Sequence, residues 1–271
     1  MTKRTLPLGR KTGYPNKYQP DVLFAIARGE SRQFLAAGEL PFHGTDIWNA
    51  WDLTWLGPEN LPVVATAEIR ISATSPNLVE SKSLKLYLGS FAMSQFDSPA
   101  LVGDTIQKDL TAVIGCPVEV RIALVADTEA TNTSRLPGVC LDTLPVSCST
   151  WEVDADLLTS DPTTVVQEEL HSHLLRSLCP VTAQPDIGSL TIHYRGPRIN
   201  RASLLQYIVS FREHNDFHEA CIERMFVDIV DRCHAEKLSI YACYQRRGGI
   251  DINPFRSNFE NNPRNLRLWR Q

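Results

Sequence analysis

Residues 198–245 read RINRASLLQYIVSFREHNDFHEACIERMFVDIVDRCHAEKLSIYACYQ, and the spacing of their apolar side chains changes along the stretch. Leu204, Ile208 and Phe211 recur at i, i+4 and i+7, which places them on one face of a helix. After a break at Asn215–Asp216, the residues Ile222, Met225, Phe226, Ile229 and Val230 repeat the helical signal. From Leu238 the period becomes two: Leu238, Ile240, Ala242 and Tyr244 face one way, as in a half-buried strand. Just upstream, SLTIHYRG (189–196) alternates in the same manner through Leu190, Ile192 and Tyr194. The order strand, helix, helix, strand describes an α+β unit.

The first half of the chain echoes this unit. LKLYLGSF (84–91) matches LLQYIVSF (204–211) at Leu84/Leu204, Tyr87/Tyr207, Ser90/Ser210 and Phe91/Phe211. AEIRISA (67–73) stands upstream as an alternating strand; TIQKDLTAVIG (105–115) follows as a second helix, and PVEVRIALV (117–125) as a closing strand. The chain therefore divides into an N-terminal extension (1–40), a first unit (41–127), a connecting segment rich in Thr, Ser, Asp and Pro (128–162) and a second unit (163–271). Within the second, VVQEELHSHLLRSL (165–178) spaces Val166, Leu170, Leu174 and Leu178 by four. That spacing reads as a helix on its own, whereas the repeat prefers a strand.

A net charge of −4 argues against a role in coating nucleic acid. No apolar run reaches the length of a membrane span, and the opening MTKRTLPLGRKTGYP lacks the apolar core of a signal peptide, so a cytoplasmic location is expected. Seven cysteines at 116, 140, 148, 179, 221, 233 and 243 are odd in number, widely spaced and without a C-x-x-C pair. Neither a disulfide framework nor a cysteine-rich zinc site is indicated, and Cys221, beside the apolar stripe of a helix, illustrates the buried thiol.

Polar residues distinguish the two copies. VESKSLK (79–85) precedes the first helix of the first copy, where the second has INRASLL; FHEACIE (217–223) opens the second helix of the second copy without a counterpart. That distribution fits one composite site. Simpler roles compete at each position. Glu219, three residues after Asp216, has the spacing of a capping box; His218 fits a solvated first turn, Lys82 and Lys85 a solvated helix face, and Arg246 and Arg247 the protection of a strand edge. His171 and His173 share a face if their segment is a strand, with no third metal ligand at matching spacing. Asp186, seven residues after Cys179, raises the thiol pKa by charge repulsion if it lies nearby. It assists a nucleophilic Cys179 only by taking the thiol proton or by returning one to the adduct.

ESKSLKLY (80–87), CPVTAQPD (179–186), FHE (217–219), YQRRGG (244–249) and DINPFRS (251–257) occur here in one chain and in this order. In that arrangement the sequence closely resembles the NADPH-dependent nitrile reductases of queuosine biosynthesis, the 7-cyano-7-deazaguanine reductases, in their larger two-copy form. The leader PLGRKTGYPNKYQPDVLFAIAR (7–28) extends the likeness over nearly the whole chain. Two positions depart from the family pattern: Ile187 stands where an aromatic is expected, and Ala27 where a proline is expected.

The resemblance implies α+β tandem tunnelling-fold units, with antiparallel sheets and two helices each, assembling into a barrel as a homodimer. It implies Cys179 as the nucleophile that attacks the nitrile to give a thioimide, Asp186 as its proton carrier, and His218 as a proton donor or substrate-positioning group. Val79, Glu80, Ser81, Phe217, His218 and Glu219 are implied to bind the deazapurine, with no direct contact to nucleic acid and no membrane. A glutamate suits that base because its carboxylate accepts two hydrogen bonds from adjacent N–H groups. NADPH is expected to meet Ser81, Lys82, Arg247 and Gly248, since no G-x-G-x-x-G stretch occurs, and no metal is expected. Two alternatives remain at this stage: a zinc-dependent purine-ring cyclohydrolase recruiting His171, His173 and Cys179, and a non-catalytic nucleobase-binding module.

Overall fold

The computed structural model describes residues 13–35, 39–125 and 133–271. Residues 1–12 and 36–38 of the expected extension, with the start of the leader motif, 126–127 at the end of the expected first unit and 128–132 at the head of the connecting segment lie outside the described residues. The chain forms two units, each made of three separate stretches. The first takes its residues from Met1–Glu30, Ile47–Thr131 and Arg246–Asp251, and the second from Ser31–Asp46, Asn132–Gln245 and Ile252–Gln271.

In the first unit the strands run in the order β5 (Val118–Leu124), β3 (Pro62–Ser72), β2 (His43–Leu56), and β3 pairs antiparallel with β5 through Ile69↔Val120. A separate antiparallel ladder joins β1 (Ala25–Ala27) to β4 (Asn77–Val79) and feeds directly into α2 (Ser81–Gly89). Helix α3 (Pro99–Ile114) completes the unit. Its Val102, Ile106, Leu110 and Ile114, spaced by four along one face, are fully buried, as are Ile69, Ile71, Leu84, Tyr87 and Phe91.

The second unit orders its strands β10 (Ile250–Ser257), β9 (Lys237–Tyr244), β8 (Pro185–Ile199), β7 (Ser160–Leu178), β6 (Val139–Cys140). The neighbours β10–β9, β9–β8 and β8–β7 are antiparallel, and the short β6 joins β7 in parallel. Helices α4 (Arg201–Ser210) and α5 (His218–Cys233) cover one face and build the core with Leu190, Ile192, Tyr194, Leu238, Ile240 and Ala242. The architecture is mixed α+β and mostly strand. Within neither unit do the described strands close into a barrel.

The segment 165–178 is strand, not helix. Residues four apart share a face in a strand as well as in a helix, so the leucine spacing did not discriminate. An irregularity between Ser172 and Leu175 then shifts the register, burying Leu170 and Leu175 and leaving Leu174 exposed.

Equivalent hydrogen bonds recur in the two units. Glu80 caps α2 by accepting from Lys82 N and Ser83 N, as Asn200 caps α4 through Ala202 N and Ser203 N. Ser83 and Ser203 each donate back to the cap residue's carbonyl. Tyr87 donates to Asp109 and Tyr207 to Asp228, both on the second helix. The segments leading into each unit dock on the same serines. Phe24 N and Gln19 N donate to Ser83 and Ser90; Thr159 N and Asp154 N donate to Ser203 and Ser210. Residues 19–24 and 154–159 are thus corresponding parts of two similar assemblies, although one lies in the expected extension and the other in the expected connecting segment.

A buried ionic network sits in the second unit. Arg256, fully buried, donates to Asp46 at 2.7 Å and to Glu223 at 2.7 Å, and Arg32 holds Glu223 through two bonds of 2.7 Å. Both guanidinium groups lie over the Phe42 ring. Every charge has a partner, the condition under which burial of ions is tolerated.

Candidate active site

Cys179 follows the last residue of β7, and Asp186 is the second residue of β8. Between them the chain turns tightly: Cys179 N donates to Gln184 O, Ala183 N donates to Cys179 O, and Ala183 takes a left-handed φ of 54°. Leu178 then pairs with Pro185, and Ser177 with Asp186. The seven-residue spacing is therefore a hairpin turn that returns the aspartate to the end of the sheet where the cysteine sits. Both side chains are buried, at 8% and 5% exposure.

The loop before α5 is fastened to the same hairpin. Leu178 N donates to His214 O and Asp216 N to Leu178 O, so residues 214–216 run beside the residue preceding Cys179. This brings the first turn of α5 to the site. His218 Nε2 stands 3.4 Å from Asp186 Oδ2, and the His218 ring packs on Tyr244 with centroids 4.0 Å apart. Glu219, 3% exposed, lies in the first turn, where the helix dipole favours an anion. The capping-box geometry expected as an alternative is absent: Phe217 holds the N-cap position without a side-chain cap bond, and Asp216 accepts from Phe217 N instead.

Burial shapes the titration of this region. It raises Asp216 to about 6, and nearby Glu223 adds to the shift while the Phe217 N–H opposes it. It lowers His214. The Cys221 thiol is pushed well above its ordinary range, first by burial and then by Asp216, with a smaller push from Asp186 and Glu219. Cys221 is thus the inert thiol its position implied. Burial also pushes Cys233 up to about 11.

The first unit holds the other candidates. Val79 ends β4, buried and paired with Ala25, and Glu80 spends both carboxylate oxygens on the α2 cap at 2.8 and 2.7 Å. Each oxygen keeps a second lone pair for a further donor. Ser81 and Lys82 occupy the first turn of α2. Arg247, Gly248, Gly249 and Ile250 form a tight turn closed by Arg247 N→Ile250 O, with Gly248 at φ 58° and Gly249 at φ 80°. Two successive left-handed residues favour glycine, with Asn or Asp the next choices. A Cβ at Gly248 would stand 3.2 Å from Lys85 Cδ, so the lysine stem lies close against the bare backbone. The lysine ammonium, the guanidinium of Arg247 and this backbone approach suit a phosphate-bearing ligand.

The second unit thus gathers Cys179, Asp186, Phe217, His218 and Glu219, and the first holds Val79, Glu80, Ser81, Lys82, Arg247 and Gly248. Reading the sequence missed Tyr244, which alternation had placed among core residues, and Asp216, whose burial leaves no mark in local spacing. His171 and His173 lie on β7 with ring centroids 5.4 Å apart, and their Nδ1 atoms face Pro137 O and Ser189 Oγ. Cys179 is six residues beyond His173, roughly 17–20 Å at the rise of a strand, so these three do not share a zinc ion. Among the described residues no group of three or more His, Cys, Asp or Glu side chains is placed to hold a metal.

Comparison with known proteins adds to this geometry. A family model described as nitrile reductase, 7-cyano-7-deazaguanine-reductase N-term, matches residues 14–122, and one described as QueF-like protein matches residues 185–263. The protein named NADPH-dependent 7-cyano-7-deazaguanine reductase in Burkholderia multivorans is 48% identical over 274 aligned positions, covering 100% of both chains. Its namesakes in Paraburkholderia phymatum and Paraburkholderia phytofirmans are 47% and 46% identical with the same coverage.

Proposed function

The chain belongs to the 7-cyano-7-deazaguanine reductase family, and from that premise we propose that it reduces the nitrile of 7-cyano-7-deazaguanine to the primary amine of 7-aminomethyl-7-deazaguanine, using NADPH, in the biosynthesis of queuosine for tRNA. The observation that carries this reading is the hairpin that sets Cys179 and Asp186 at one end of the sheet, with the first turn of α5 fastened beside it.

In the proposed reaction Asp186 accepts the thiol proton as Cys179 sulfur bonds to the nitrile carbon. One π pair moves to nitrogen, which takes a proton, and the product on the enzyme is a thioimide. NADPH supplies two hydrides in all, because a triple bond becomes a single bond. Between the two reductions the C–S bond breaks and Cys179 leaves as thiol, its proton returned through Asp186. His218 supplies protons to the substrate nitrogen. Glu219 accepts hydrogen bonds from the base and Phe217 packs against it; Val79, Glu80 and Ser81 are the base-binding residues of the first unit. Ser81, Lys82, Arg247 and Gly248 meet the cofactor's phosphates. The units are tandem tunnelling-fold units that close a barrel as a homodimer, and the enzyme works in the cytoplasm.

Mixing protein, nitrile and NADPH is expected to consume nicotinamide absorbance. Protein with nitrile alone is expected to develop the absorbance of a thioimide, and Cys179→Ala to abolish both signals. Normal turnover by Cys179→Ala would overturn the mechanism. A sedimentation mass near 60 kDa, about twice the 30.4 kDa chain, is expected for the dimer.

A further inference from the structure

We propose that Tyr244 is a positioning residue for the proposed reductase, its ring touching both Gly188 and His218 so that it fixes the distance from the His218 imidazole to Asp186. The inference rests on the reading of His218 and Asp186 as parts of the reactive site. No motif match assigned Tyr244 a role, and alternation alone made it one more core residue of a strand.

The geometry has three contacts in a row. Tyr244 ends β9 and pairs across the sheet with Gly188 of β8. A Cβ at Gly188 would stand 3.2 Å from Tyr244 Cδ1 and 3.4 Å from Cε1, so the ring lies directly over the bare glycine backbone. The same ring meets the His218 imidazole, with centroids 4.0 Å apart and planes tilted by 38°. Gly188 is two residues beyond Asp186 and therefore on the same face of β8. His218 Nε2 comes to 3.4 Å from Asp186 Oδ2. One aromatic ring thus touches both the strand carrying the aspartate and the imidazole, and a rigid contact of this kind is what a histidine at the end of a helix otherwise lacks.

Tyr244 is 1% exposed, and burial raises its hydroxyl far above the ordinary range, reinforced by Cys221, Asp186 and Glu219 and tempered by the Ser177 hydroxyl. It stays protonated across the working range, so it acts by shape rather than by exchanging a proton. The titratable groups against the imidazole are Asp186 on β8 and Tyr244 on β9; Glu219 and Cys221 on α5 act in turn on Tyr244, and Asp216 before the helix acts on Cys221.

Three variants test the contact: Tyr244→Leu removes the flat ring, Tyr244→Phe keeps it, and Gly188→Ala pushes against it. Each is followed by kcat, KM, thermal unfolding and the titration of the His218 ring by NMR without substrate. In Tyr244→Leu, kcat is expected to fall about 10- to 100-fold, the cost of a displaced proton donor, with KM changed less than about 3-fold. The His218 titration should differ from that of the parent. Tyr244→Phe should restore kcat to within about 3-fold of the parent, and Gly188→Ala should fall between the two. If Tyr244→Leu does not fold, Gly188→Ala carries the same two readouts. An unmoved His218 titration, or a kcat in Tyr244→Phe as low as in Tyr244→Leu, overturns the proposal. Absence of nitrile reduction by the unsubstituted protein would overturn the functional reading instead, and the NMR titration still decides whether the ring positions His218.

Discussion

At Asp216 a single carboxyl records how tightly the α5 entry loop is packed. Its value of about 6 lies above the usual carboxylate range because of burial. The folded protein therefore holds this proton more firmly than the unfolded chain between about pH 4 and pH 6. The stability this contributes is complete below pH 4 and is lost as the pH rises through 6. Asp216→Asn keeps an oxygen for Phe217 N and removes the buried charge. Compared with the parent, it should gain up to about 2 kcal/mol in unfolding free energy between pH 4.5 and 7.5, after discounting for partial exposure. Urea unfolding at the two pH values measures this; parallel shifts in parent and variant would refute it. Asp186 was legible because it stands in a short motif with Cys179. Asp216 and Tyr244 were not, because their importance comes from what packs against them across the chain.

Among the elements, α2 and α4 were readable from their spacing and shared residues, and the serine and tyrosine matches mark conserved hydrogen bonds between each helix and its surroundings within one molecule. The caps differ chemically, Glu80 in one and Asn200 in the other, yet each satisfies two first-turn N–H groups. Asn200→Ala should cost about 1 kcal/mol of stability, within the 0.5–2 kcal/mol range of lost caps, with no direct effect on chemistry. Glu80→Ala should cost a similar amount and additionally weaken substrate binding, since only this cap belongs to the proposed pocket. Equal KM values for the two variants would remove Glu80 from it. The strand β7 was favoured by the repeat but left open by its spacing. A period of four is common to both regular structures, and only the cross-strand partners of β8 chose between them.

For the molecule as a whole, the division into units crosses the linear order of the chain. The first unit takes in Arg246–Asp251, where Asp251 accepts from Asn49 Nδ2 and Trp51 Nε1 and Gly249 O accepts from Trp51 N. The second takes in Ser31–Asp46, which supplies Arg32, Phe42 and Asp46 to the network around Arg256 and Glu223. These exchanged pieces carry no repeat signal of their own. Fragments 1–131 and 132–271, expressed separately, should therefore both fail to fold. The second would keep Arg256 and Glu223 buried without Asp46 and Arg32, and losing partners of buried charges costs about 3–5 kcal/mol. Circular dichroism and urea unfolding of each fragment check this, and a cooperative transition in either one alone would contradict it. The same exchange constrains biosynthesis. Arg246–Asp251 follows the long second-unit stretch Asn132–Gln245 in the chain, so the first unit waits for that stretch to leave the ribosome before it can finish. Emerging first in synthesis therefore confers no head start in folding.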